Sequence, residues 1–123
     1  MTVLGIHHVQ LAMPAGGEGT ARAFYSGVLG LVEVDKPEHL QARGGCWFEI
    51  GGGIQLHLGV EVPFRPATKA HVALVVTDLE TLRSTLIAGG APVLEDTQLA
   101  GFRRFYTADP FGNRLEIMAP VTT

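Results

Sequence analysis

The chain repeats itself. His8-Val9-Gln10-Leu11-Ala12-Met13 aligns with His71-Val72-Ala73-Leu74-Val75-Val76, and Ile54-Gln55-Leu56 aligns with Leu115-Glu116-Ile117. His71 follows His8 by 63 positions and Glu116 follows Gln55 by 61, a difference that one loop insertion absorbs. Two segments related in this way should fold alike, so whatever unit explains the first half must also explain the second.

The pattern of each half predicts β, α, β, β, β. Leu4–Met13 alternates as a strand, with Ile6, His8, Gln10 and Ala12 on one side and His7, Val9, Leu11 and Met13 on the other. Between Glu18 and Leu29 the spacing of Ala21, Phe24, Tyr25 and Val28 is helical, and Gly30 is placed to end it. Strands are expected near Leu31–Asp35, Ala42–Ile50 and Ile54–Leu58, the last two joined by a Gly51-Gly52-Gly53 hairpin. Residues 61–69 carry Pro63 and Pro66 and read as a connector. The second half then offers a strand over Ala70–Val76 and an Asp78 N-cap. Leu79, Leu82, Leu86 and Ile87 form a helix stripe running to Ala88. Strands follow near Pro92–Glu95, Phe102–Thr107 and Arg114–Met118, the last pair joined by the turn Asp109-Pro110-Phe111-Gly112-Asn113. With 123 residues the expectation is one α+β domain of two βαβββ modules, about 1–60 and about 70–120.

Composition narrows the function classes. The net charge is −3 and the nine Lys and Arg are scattered, so we expect no nucleic-acid partner. No run approaches the roughly 20 apolar residues of a membrane span, so no membrane partner is expected either. Cys46 is the single cysteine, which rules out an intrachain disulfide and favours a reducing compartment. The first residues lack a basic segment followed by an apolar run, so no signal peptide is expected, and the protein is expected to be cytoplasmic. No nucleophile motif, phosphate loop or dinucleotide fingerprint is present.

The repeat places ligand-type side chains at four equivalent positions: His8 and His71 on the first strand of each half, Gln55 and Glu116 on the last. A histidine alone on a half-buried strand is usually a hydrogen-bonded structural residue. Four such residues at matched places of a repeat are hard to assign to packing. If the alternate apolar sets lie under the helices, the polar four share the opposite faces of the sheets, which would form a metal-centred cleft. Two imidazoles and a carboxylate are the recurring set for non-haem Fe(II), and they also accept Mn, Co, Ni or Zn. A small-molecule substrate with two neighbouring oxygens could complete such a shell. Glu116, the one carboxylate of the four, is also the candidate catalytic residue. His57 shares the face of Gln55 and could stand in for it. Trp47, His57, Arg104 and Tyr106 are candidate substrate contacts. Cys46 reads as an ordinary buried thiol.

These residues also carry a resemblance. His8-Val9-Gln10-Leu11, Phe24-Tyr25 with Val28-Leu29-Gly30-Leu31, His71-Val72-Ala73-Leu74 and Asp109-Pro110-Phe111-Gly112-Asn113-Arg114-Leu115-Glu116 resemble the vicinal oxygen chelate superfamily. That group includes glyoxalase I, extradiol dioxygenases, methylmalonyl-CoA epimerase, and fosfomycin- and bleomycin-resistance proteins. The resemblance implies paired βαβββ modules around a divalent metal held at His8, Gln55, His71 and Glu116. The function it implies is a small lyase- or isomerase-like enzyme of the glyoxalase and epimerase type. Such an enzyme acts on vicinal oxygens by metal-assisted proton transfer or addition. Two other functions stay open: a metal-free small-molecule binding or resistance protein, and a single-domain Fe(II) extradiol-type dioxygenase. The resemblance also implies a homodimer.

Overall fold

The structure is a computed structural model and describes residues 2–97 and 99–121. It divides into two compact units, one ending at Arg65 and the other beginning at Pro66. The first contains β1 (His8–Met13), α1 (Glu18–Tyr25), β2 (Val32–Val34), a 3₁₀ turn (Glu38–Arg43), β3 (Cys46–Gly51) and β4 (Ile54–Val60). The second contains β5 (Val72–Val75), α2 (Leu79–Ala88), β6 (Leu94–Glu95), β7 (Phe102–Ala108) and β8 (Arg114–Pro120). The sheet orders are β1-β4-β3-β2 and β5-β8-β7-β6. In each, the first and last strands of the unit are parallel and the other pairs antiparallel. The βαβββ repeat expected from the sequence is therefore present twice, and the class is α+β.

Strand alternation decides which face meets the helix. In the first unit Leu11, Met13, Cys46, Phe48, Leu56 and Leu58 are buried with Ala21, Phe24 and Tyr25 of α1. Tyr25 and Phe48 stand 5.6 Å apart between ring centres. Each such side chain contributes roughly 1.5–3 kcal/mol by leaving water. In the second unit Leu74, Phe105, Leu115, Ile117 and Ala119 are buried with Leu79 and Leu86 of α2. The other face of each sheet keeps the polar set. Among the described residues no helix is long and apolar enough to cross a membrane.

Some boundaries differ from the sequence expectation. β1 starts at His8, and Val3, Leu4 and Ile6 before it are exposed. Helix α1 stops at Tyr25, and the chain winds on through wide turns in which Val28 and Leu29 N–H both donate to the Phe24 carbonyl at 2.9 Å. Gly30, at φ +76, closes that winding. A 3₁₀ turn occupies residues 38–43, so β3 begins at Cys46 rather than at Ala42. Ile87 is 56% exposed and not part of the stripe, because Leu79 and Leu86 already take the buried side of α2. The Asp78 N-cap is present, its carboxylate accepting from Thr81 N–H at 3.0 Å.

Gly45 fastens the first unit. Its N–H donates to Glu18 Oε2 at 2.7 Å, which holds the Glu18 carboxyl below its ordinary range. Its φ is +83°, and a Cβ there would lie 2.1 Å from the Leu58 carbonyl oxygen in β4. Gly45→Ala is therefore expected to cost about 2–4 kcal/mol of unfolding free energy. Urea denaturation checks this, and an unchanged midpoint would refute it.

The turn 109–113 positions β8 in the second unit. Asp109 and Asn113 are both buried. One Asp109 oxygen accepts the N–H groups of Phe111 and Asn113, each at 2.9 Å, and the other accepts Asn113 Nδ2 at 2.9 Å. Asn113 Oδ1 accepts Ala67 N–H at 3.0 Å, and Arg114 N–H returns to the Ala67 carbonyl at 2.8 Å.

Candidate functional site

In the first unit, β1, β4 and β3 bring His8, Gln55, His57 and Trp47 to the face away from α1. Register places Gln55 beside His8, and His57 between Gln10 and Trp47. The His57 ring is stacked on both sides, 3.9 Å from Trp47 and 4.2 Å from His8. Only 3% of His57 is exposed. Burial, with the charges of His8, His7 and Lys36, pushes its pKa down to about 4. At neutral pH the ring is thus neutral, and its Nε2–H donates to Gln55 Oε1 at 2.8 Å, which orients the amide. His7, expected to turn away, is exposed, and its Nδ1 lies 2.9 Å from His8 Nδ1.

A stability signature follows from His57. The unfolded chain takes up a proton below about pH 6.5, while the native chain resists until about 4. The stabilisation from neutral His57 is therefore complete above pH 6.5 and is lost as the pH falls towards 4, by roughly 1–3 kcal/mol. Denaturant midpoints at pH 7 and pH 4.5 should show a larger loss for the native chain than for His57→Gln. Equal losses would contradict it.

In the second unit, His71, Arg104, Tyr106 and Glu116 share the face away from α2. Glu116 sits on β8, an inner strand of the sheet, and is 5% exposed. His71 Nε2 lies 2.9 Å from Glu116 Oε1, and Arg104 Nη1 lies 3.2 Å from Glu116 Oε2. Arg104 also donates to the Tyr106 hydroxyl at 2.8 Å and to the Thr97 carbonyl at 3.0 Å. The hydrogen bond to Glu116 raises the Arg104 pKa above its already high value. Tyr106 meets the His71 ring edge to face at 5.4 Å, and the Arg114 guanidinium covers it at 3.8 Å.

The surroundings of His71 test whether a cation fits. Its Nδ1 lies 2.9 Å from the Lys69 carbonyl and its Nε2 faces the Glu116 carboxylate. Both neighbours are acceptors, yet a neutral imidazole has one proton to give. With Nδ1–H given to the carbonyl, His71 Nε2 and the Glu116 carboxylate would be the donors left to hold a divalent ion. A backbone carbonyl on the other ring nitrogen is also the usual support of a metal-binding histidine. The donor set fits a divalent ion. Within neither unit do the described residues gather three or more His, Cys, Asp or Glu as a metal cluster.

The site residues named from sequence thus fall on the sheet faces away from the helices: His8, Gln55, Trp47 and the buried His57 on one, His71, Arg104, Tyr106 and the buried Glu116 on the other. Three features went unread. The His8–His57–Trp47 stack, the Arg104–Glu116 ion pair and the Arg114–Tyr106 contact all depend on strand register. Cys46 is buried as expected, with its thiol pushed up to about 11 by burial.

Two units of β-α-β-β-β, each with a parallel outer pair, are the architecture of the vicinal oxygen chelate superfamily, whose members commonly use divalent metals. The chain belongs to the glyoxalase-like domain family, whose model matches residues 10–118. A Bacillus anthracis protein assigned to the glyoxalase family is 45% identical, with 98% of each chain covered and a TM-score of 0.89. A glyoxalase/dioxygenase from Nostoc punctiforme is 20% identical over 97% of this chain and 92% of its own, with a TM-score of 0.79. The fosfomycin resistance protein FosX from Listeria monocytogenes is 17% identical over 98% and 96%, with a TM-score of 0.73. These last two share the fold. No curated protein sequence gives a significant match.

Proposed function

We propose that this protein is a small metal-dependent enzyme of the glyoxalase and epimerase type, acting on a substrate with two neighbouring oxygens. The metal ligands in this reading are His8, Gln55, His71 and Glu116. The observation that carries this reading is the bonding of His71, whose two ring nitrogens both face oxygen acceptors at 2.9 Å. A divalent ion among these residues would polarise the substrate oxygens and acidify an adjacent C–H. The chain's own part is orientation and charge. Lys69 fixes the His71 ring, neutral His57 fixes the Gln55 amide, and Arg104 holds Glu116 on the open face. Glu116 is the carboxylate placed to take up a proton there. The small size and reducing-compartment composition support a cytoplasmic enzyme, and the family supports a homodimer.

Metal analysis of protein purified without chelator tests this. About one equivalent of Ni, Co, Zn, Mn or Fe per chain is expected, and His71→Ala should lose it. A second reading has its own observation. Arg104 Nη1 lies 3.2 Å from one Glu116 oxygen and His71 Nε2 lies 2.9 Å from the other, so the carboxylate has a partner on each oxygen without metal. That favours a metal-free small-molecule binding or resistance protein, with Trp47, His57 and Tyr106 as contacts. Absence of retained metal in wild type would select it. Oxygen uptake with catechols under ferrous iron would instead select dioxygenase chemistry.

A further inference from the structure

One cavity of the first unit lies on the same sheet face as His8 and Gln55 but involves neither. It measures about 160 Å³, and its walls include Lys36, Arg43, Trp47, Gln10 and Gly59. The floor is sheet. Trp47 and Gln10 are the two register neighbours of His57, and Trp47 stacks on that ring. Gln10 lies across Gly59, where a Cβ would come within 2.4 Å of its amide nitrogen, so the missing side chain makes the room in which the Gln10 amide lies along the cavity wall. The rim is the 3₁₀ turn with Arg43, and Lys36 just before it.

The charges here are one-sided. Among the described residues no Asp or Glu lines the cavity. Arg43 makes no ion pair with any described residue, and Lys36 Nζ donates to the Gly44 carbonyl, which spends one of its three N–H groups. Glu18, Glu33 and Asp35 line a neighbouring depression that Lys36 also borders, whereas Arg43 lines the cavity alone. Glu33 is taken there by Arg22 at 2.9 Å and Glu18 by Gly45 N–H. Two cations beside an indole and an amide make a site for an oxyanion carried on a short apolar stem. The volume is below the roughly 300 Å³ of a whole-ligand pocket, so it suits one end of a molecule.

We infer that Lys36 and Arg43 bind the carboxylate or phosphoryl group of the substrate, with Trp47 against the adjoining carbon. The word substrate rests on the enzyme reading above, while the anion site stands without it. Trp47 is the sole tryptophan, so its fluorescence reports occupancy directly. The test titrates EDTA-treated, full-length protein with inorganic phosphate at constant ionic strength set by chloride. A saturable change with a millimolar midpoint is expected, weakened at least tenfold in Lys36→Gln with Arg43→Gln and about threefold in each single variant. Arg65→Gln, in the same unit but away from the cavity, should match wild type. No saturable response beyond chloride in wild type, or an unchanged midpoint in both folded single variants, would overturn the site. Because metal is removed throughout, failure of the metal assignment leaves this result untouched, and the reverse also holds.

Discussion

Glu116→Gln is expected to lower divalent-metal affinity by two orders of magnitude or more, beyond the roughly 10–100-fold typical of outer partners. Glutamine keeps the shape and removes the one carboxylate of the proposed ligand set. The sheet should be preserved, because Glu116 shares its face with Tyr106 and Ala73 rather than with the apolar core. Arg104→Gln should act in the opposite direction. Its guanidinium lies 3.2 Å from Glu116 Oε2, and a cation bound to that carboxylate feels like-charge repulsion. Removing it is expected to tighten metal binding at least about fivefold. Competition against a fluorescent chelator measures both. A wild-type affinity in Glu116→Gln, or weaker binding in Arg104→Gln, would show that Glu116 is held for the ion pair alone.

Asp109→Ala is expected to have the largest effect on folding. The carboxylate accepts three N–H groups at 2.9 Å in a site where Asp109 is 4% exposed and Asn113 fully buried. Truncation strands those donors, each at about 1–3 kcal/mol, and frees Asn113 from its hold on Ala67. The expected cost is about 3–5 kcal/mol, a large share of the 5–15 kcal/mol of an ordinary domain. Thermal or urea unfolding should show a collapsed midpoint, and Asp109→Asn a smaller loss. A midpoint near wild type would mean that water replaces the carboxylate.

The fold was legible because the repeat, the glycine turns and the two periodicities agreed. Leu11, Met13, Leu56 and Leu58 alternate with His8, Gln10 and Gln55 and are buried where those three are not, whereas His57 is buried as well, between the rings of Trp47 and His8. Helix α2 was legible from Asp78 and Leu79 onward, whereas Ile87 was misplaced because apolar spacing alone does not say how wide a buried stripe is. The 3₁₀ turn at 38–43 escaped because so short a segment has no period to read. Ligand-type residues could be picked out by the matched positions, but their partners could not. Arg104 reaches Glu116 diagonally across β7 and β8, where Tyr106 is the residue directly opposite. His57 finds Trp47 only because β3 pairs with β4 in this register. The Asp109–Asn113 turn was visible as turn chemistry, while its grip on Ala67 is a tertiary contact between residues 46 apart.

X-ray absorption of the metal-loaded protein probes the ligand assignment at the metal itself. Nitrogen and oxygen neighbours with the outer-ring scattering of two imidazoles are expected in wild type, falling to one in His8→Ala and in His71→Ala. A shell without imidazole scattering, or one that neither substitution alters, would contradict the site.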